Sequence, residues 1–180
     1  MKKYKVGALA GKFLPPQIGH AKLIEEAAKQ SEVLYVVLAE NPDKTAELCR
    51  ADGLEPISAE LRLGWLREHF AAYNNIIWMY MDERSVPPYP HGTEQWSAEF
   101  KKLVGVPIDA KFFGDEAYFE MNALYFPESA AVLIKRGVES PEISASQIRA
   151  NPEGYLELLI PPAREYFKKQ LKKLFCKRKL

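Results

Sequence analysis

The chain has 180 residues, 47% of them apolar and 27% charged, with 25 basic residues against 24 acidic ones. That composition suits one folded domain with its own core, and it argues against a fibre or a disordered chain. Two cysteines, Cys49 and Cys176, and three histidines make no disulfide framework and no zinc spacing. No apolar run approaches the roughly 20 residues of a membrane helix, and Lys12 interrupts the first apolar run before a leader core is complete. A cytoplasmic protein with no membrane partner is expected.

The first apolar run, Tyr4 to Ala10, predicts a strand, and Gly11 to Gly19, with Pro15 and Pro16, predicts a long loop. Leu23, Ile24, Ala27 and Ala28 recur at helical spacing over His20 to Gln30. Val33 to Ala39 is near-continuously apolar, as in a strand buried on both faces of a parallel sheet. Asn41 to Pro56 reads as a polar surface excursion with a short helix at Thr45 to Arg50. Ser58 then predicts an N-cap, with a helix through Phe70. Ile76 to Met81 is a third strand, Glu94 to Val104 a helix, Ala110 to Phe113 and Ala130 to Ile134 two more strands. Pro152 to Leu159 and Pro162 to Phe175 close the chain as helices. This alternation predicts an α/β, Rossmann-like, doubly wound parallel sheet with C-terminal helices. A ligand belongs outside the C-terminal ends of the strands, among the loops 10–20, 82–93, 114–120 and the stretch 136–149.

Charge is uneven. Residues 164–180 carry eight basic side chains against Glu165 alone. Such a tail suits either an anionic partner or a helix end that favours cations. No aromatic–basic interleaving appears elsewhere, so a nucleic-acid partner is not expected.

Gly7-Ala8-Leu9-Ala10-Gly11-Lys12-Phe13 is one residue short of a P-loop, and Phe13 stands where a hydroxyl residue is needed. The parts of a phosphate site are nevertheless present. Gly11 permits close backbone approach, Lys12 brings charge, and Gly19 leads into a helix whose first turn holds His20 and favours an anion. His20 reads equally well as a cap or packing residue. Downstream, Ser144 and Ser146 precede Arg149. If Ser146 opens a helical turn, Ser146 and Arg149 face the same way and form a fork for a polyphosphate. An N-cap serine and a surface arginine would leave the same pattern.

Together these segments resemble a known family. Gly11-Lys12-Phe13-Leu14-Pro15-Pro16-Gln17-Ile18-Gly19-His20 is similar to the G-x-F-x-P-x-H-x-G-H signature of the nucleotidylyltransferase (HUP-type) superfamily, and Ile143 to Arg149 to its I-S-x-S/T-x-I-R signature. Pro87 to Ser97 resembles the P-x-Y-P-x-G-W-x-x-W-S stretch of the NadR-type nicotinamide-mononucleotide adenylyltransferases. Phe113-Gly114-Asp115-Glu116-Ala117-Tyr118 resembles their F-x-S-E-x-Y. The resemblance implies transfer of AMP from ATP to nicotinamide mononucleotide, giving NAD and pyrophosphate. It implies His20, Lys12 and Arg149 in catalysis, and Gly11, Phe13, Gln17, Gly19, Ser144, Ser146 and Arg149 around ATP. Mg2+ would come with ATP, and no residue is assigned as a metal ligand. The acceptor would lie by Asp82, Arg84, Tyr89, Trp96 and Glu116. Tyr89 and Trp96 offer flat faces, although Trp96 with Phe100 and Leu103 also reads as core.

Two positions depart from the pattern. Gln17 replaces the first histidine and cannot become positive, which implies reduced activity. Thr93 replaces the first tryptophan, which bears on the acceptor. A different phosphorylated acceptor and a weakly active nucleotide-binding module are the alternatives. Residues 1–168 are expected to form the catalytic domain and 169–180 a basic helix end or tail. No Walker A motif follows, so the kinase domain that family members often carry is not expected. Small-molecule partners are expected, and a homo-oligomer is compatible with the sequence.

Overall fold

The computed structural model describes residues 2–135 and 143–177, with side chains as far as 172. In chain order the elements are β1 (Tyr4–Gly11), α1 (Ile18–Gln30), β2 (Ser31–Glu40), α2 (Pro42–Ala51), α3 (Ala59–His69), β3 (Ile76–Asp82), α4 (Thr93–Val104) and β4 (Ala110–Phe113). A 3-10 turn at Glu116–Tyr118 then leads into α5 (Phe119–Tyr125) and β5 (Ala130–Leu133). α6 (Ala145–Ala150), a 3-10 segment at Glu153–Leu158 and α7 (Pro161–Lys177) complete it.

The strands form one sheet in the order β3-β2-β1-β4-β5, every pair parallel. β1 and β2 are neighbours, with Ala8 opposite Tyr35 and Leu9 opposite Val36, as the two apolar runs predict. The fold is therefore the expected parallel, Rossmann-like one. The chain winds outward from β1 through β2 and β3, then returns to place β4 on the other side of β1. That reversal makes the C-terminal ends of β1 and β4 the switch point of the sheet, the usual place for a ligand in such folds.

Alternation along the strands feeds two cores. Leu9, Leu34, Val36 and Leu38 pack with Ile24 of α1, Leu66 of α3 and Phe167 of α7. Ala8, Val37, Ala39 and Met81 pack with Phe100 and Val104 of α4 and with Phe126. Caps set the helix limits. The Asn41 side chain accepts from the N–H groups of Asp43 and Lys44, each at 3.1 Å, and Pro42 takes the first helical position. Ser58 caps α3 as expected, accepting from Leu61 N–H at 3.2 Å. Gly105, at φ 72°, ends α4.

Several elements differ from expectation. α2 begins at Pro42 rather than Thr45, so the polar excursion is mostly helix. The loop 114–120 contains a 3-10 turn and the start of α5. The short helix expected before Leu159 is present as the 3-10 segment Glu153–Leu158. Within the stretch 136–149, residues 136–142 lie outside the described residues. Among the described residues no helix is long and apolar enough to cross a membrane.

Candidate functional site

The loop that leaves β1 is held by its backbone. Arg62 of α3 donates from Nη1 to the Lys12 carbonyl. Arg149 of α6 donates from Nη1 to the Leu14 carbonyl at 2.9 Å. Ile160 N–H reaches the Pro16 carbonyl at 3.4 Å, and Gln17 forms an isolated antiparallel bridge with Leu159. Between the two arginine-held carbonyls, Phe13 sits at φ 47°. That is left-handed backbone, strained for a bulky side chain and maintained only where the surroundings over-determine it. A Cβ on Gly11 would stand 2.9 Å from the Phe13 ring, so the space at Gly11 is used to seat that ring.

Gln17 is the N-cap of α1, and its N–H donates to His20 Nδ1 at 3.3 Å. An imidazole that accepts at Nδ1 carries its proton on Nε2. The His20 ring also meets Phe13 edge-on, with centroids 5.2 Å apart. Because α1 starts at Ile18, Gly19 and His20 both lie in its first turn, where N–H groups lack helical partners and the dipole favours an anion. Lys12 is exposed on the same loop. Gln17 is 5% exposed and spends its amide Nε2 on the Ile143 carbonyl at 3.2 Å. In this arrangement that amide points at the second motif rather than at a phosphate.

Ser144 is the N-cap of α6. Its Oγ accepts from Gln147 N–H at 3.2 Å, and its own N–H donates to Gln147 Oε1 at 2.8 Å, a reciprocal capping box. Ser144, not Ser146, therefore opens the helical turn. The two serine hydroxyls meet at 2.8 Å, and both residues are exposed. Arg149 is buried rather than on the surface. Its Nε donates to Asp52 Oδ2 at 2.8 Å and its Nη1 to Leu14, leaving Nη2 without a protein partner among the described residues.

The structure thus joins the 11–20 and 143–149 segments at the ends of β1 and its neighbours. The other sequence candidates stand apart from them. Asp82 ends β3, and Arg84, Tyr89 and Trp96 follow it; β3 is an edge strand separated from β1 by β2. Arg84 pairs with Asp82 at the surface and lowers its carboxyl pKa. Tyr89 is 81% exposed. Trp96 is half-buried and stacked on Phe100, centroids 5.1 Å apart, and its Nε1 donates to Glu83 Oε1 at 2.6 Å. Glu116 lies in the turn after β4 and reaches Lys135 at 3.7 Å.

A cavity of about 580 Å3 opens between α2, α3 and β3, with Glu40, Thr45, Ser58, Arg67 and Tyr80 in its wall. No sequence candidate lines it. Among the described residues no three His, Cys, Asp or Glu side chains gather to hold a metal ion.

No protein-family model matches the chain. Among curated proteins it is similar to the trifunctional NAD biosynthesis/regulator protein NadR of Escherichia coli K12, 30% identical over 174 residues. That match covers 92% of this chain but 41% of the E. coli protein, so the chain spans about two fifths of its relative. In fold it is similar to the crystal structure of a NadR protein in complex with NAD and AMP-PNP. The TM-score is 0.64 at 22% identity, over 90% of this chain and 47% of that one. It is similar also to a bifunctional NMN adenylyltransferase/ADP ribose pyrophosphatase from Francisella tularensis, with a TM-score of 0.70 at 14% identity over 94% of this chain and 50% of that one.

The chain thus shares its fold with these structures, and its sequence is similar to part of NadR. Three side chains that brace these joined segments carry no motif in the sequence: Glu40, Arg62 and Asp52. Glu40 and Arg62 form an ion pair with Arg62 wholly buried. Their signal was a single charge closing the apolar run of β2, and another between Leu61 and Leu63 on α3. Asp52, next after α2, carries no comparable signal.

Proposed function

We propose that the chain transfers AMP from ATP to nicotinamide mononucleotide, releasing pyrophosphate and forming NAD. The observation that carries this reading is the joining of the two phosphate-type segments, through Arg149 to Leu14 and through Gln17 to Ile143. The sequence and fold likenesses support it, the NadR complex with NAD and AMP-PNP among them.

In the proposed reaction an oxygen of the acceptor phosphate attacks the α-phosphorus of ATP, and the bond to the bridging oxygen of pyrophosphate breaks. The attacking phosphate is already an anion near neutral pH, so no general base is needed. Catalysis is alignment and charge stabilisation. His20 Nε2–H and the first-turn N–H group at Gly19 bond the phosphates as charge builds on the leaving group. Lys12 adds charge from the same loop, with the backbone from Gly11 to Phe13 beneath. Arg149 Nη2 and the Ser144 and Ser146 hydroxyls take the β and γ phosphates. Magnesium arrives with the triphosphate as part of the substrate. The acceptor lies on the β2–β3 side, where the cavity has the size usual for small-molecule sites. Asp82, Arg84, Tyr89 and Trp96 are its candidate outer contacts, whereas Glu116 follows β4 on the other side of β1 and is left out of this site.

A second reading, a different phosphorylated acceptor, is favoured by Thr93. Its hydroxyl donates to the Pro90 carbonyl at 2.7 Å, so that position braces the loop instead of offering an aromatic face. Incubation with magnesium, ATP and a panel of phosphorylated acceptors, read by product mass, tests both. NAD as the main product supports the proposal. Adducts of another acceptor alone would replace it with the second reading, and ATP hydrolysis without any adduct would remove both.

A further inference from the structure

Two buried arginines hold the same loop in the same way. Arg149 pairs with Asp52 and takes the Leu14 carbonyl. Arg62 pairs with Glu40 and takes the Lys12 carbonyl, two residues earlier. They differ in access. Arg149 is 7% exposed and its Nη2 has no protein partner among the described residues, whereas Arg62 has no exposed surface and cannot touch a ligand. Its Nε and backbone N–H both go to the Ser58 carbonyl at 3.2 Å, so the guanidinium is used on the protein.

We propose that Arg62, oriented by Glu40, is a positioning residue that holds the Lys12 carbonyl inward and so keeps the loop 11–14 in its anion-receiving shape. The proposal rests on the reading of that loop as a triphosphate site. A carbonyl oxygen facing a polyphosphate repels it, and a guanidinium that draws the carbonyl away removes the repulsion. Phe13 at φ 47° is the cost of that arrangement, and the flanking Lys12 and Leu14 carbonyls are the two the arginines hold. Stability alone does not explain a fully buried pair. Apolar residues of similar volume in such places are often neutral or stabilising. Glu40 also stands in the wall of the cavity, so the same pair joins the loop to the β2–β3 side of the site.

The test uses the full chain and calorimetric titration with magnesium-ATP and, separately, inorganic tripolyphosphate. Arg62→Lys keeps the charge beside Glu40 but lacks the fork that serves Lys12, Ser58 and Glu40 together. It is expected to weaken both titrants about tenfold with the melting temperature close to wild type. A double variant, Arg62→Met with Glu40→Leu, is expected to melt no lower than wild type and to bind both titrants at least tenfold more weakly. Binding equal to wild type in Arg62→Lys overturns the proposal, whatever the double variant does. Loss of binding only in proportion to lost folded protein, read from the melting curves, also overturns it. A wild-type chain that binds neither titrant overturns the triphosphate reading and this proposal together, whereas wild-type binding retained unchanged in both variants overturns the proposal alone.

Discussion

Gln17 donates its side-chain amide to the carbonyl of Ile143, 126 residues away, at 3.2 Å. One residue thus caps α1 and fastens the segment that carries Ser144, Ser146 and Arg149. Glutamine suits the place because its Nε2 donates where a carbonyl must be met.

Gln17→Glu tests that strut. A carboxylate presents only acceptors to the Ile143 carbonyl, so a loss of about 1–3 kcal/mol is expected from urea unfolding, with weaker ATP binding. Gln17→His places there the histidine of the motif this loop resembles but gives up the amide. It is expected to lower stability as well, by less than Gln17→Glu. A stability equal to wild type in both variants would show that the strut carries nothing.

Arg149 is positioned by Asp52 and Leu14, while Nη2 has no protein partner among the described residues. Arg149→Lys has one point charge for three directions. The ATP concentration for half-saturation should rise at least tenfold, and Asp52→Asn should raise it about threefold by slackening the same side chain. Unchanged affinity in Arg149→Lys by calorimetry would leave Arg149 a purely structural residue.

The sheet was legible because its strands are plain. Val33 to Ala39 is apolar throughout, and the structure extends that strand only to Ser31 and Glu40. α5 was not legible, since Phe119 and Leu124 face outward, Tyr125 is only half-buried and the fully buried position is Asn122. The early start of α2 carried a signal in Asn41-Pro42, a cap followed by a first-turn proline. At the candidate site, the residues that offer chemistry could be read from type and spacing. Glu40, Arg62 and Asp52 could not, because each acts through a partner more than 20 residues distant. Spacing along the chain says nothing about such pairs.

Trp96 is expected to matter first for packing. It stacks on Phe100 and bonds Glu83. Trp96→Ala should destabilise by about 2–4 kcal/mol, less than a fully buried tryptophan loses. Trp96→Phe should recover most of the stacking but not the bond to Glu83. If the acceptor also stacks there, its affinity falls in Trp96→Ala beyond the fraction unfolded while ATP affinity holds. Parallel loss of both affinities would confine Trp96 to the core.

Lys111 gives a pH dependence with a definite sign. Its Nζ lies 3.5 Å from the Phe100 centroid, 4.8 Å from Phe126 and 5.6 Å from Trp96, and burial pushes its pKa down to about 7. A second cation, Lys101, stands 4.9 Å from the Phe126 ring. Free lysine titrates near 10.4, so from about pH 7 to about pH 10 the unfolded chain binds the extra proton and stability rises with pH. Lys111→Met should remove that rise and stabilise the chain by about 1–4 kcal/mol near pH 6. Denaturation midpoints with the same pH slope in both proteins would contradict this.

AMP transfer at the joined loops is open to one direct assay. Wild-type chain and His20→Ala, prepared identically, should be given magnesium-ATP and nicotinamide mononucleotide, with NAD and pyrophosphate measured together. Equal molar amounts of NAD and pyrophosphate from the wild type are expected, with turnover at least 100-fold lower in His20→Ala and acceptor KM within about threefold, since the bond from His20 strengthens as pyrophosphate leaves. NAD formation at the same rate in both proteins, or pyrophosphate without NAD, would contradict the account.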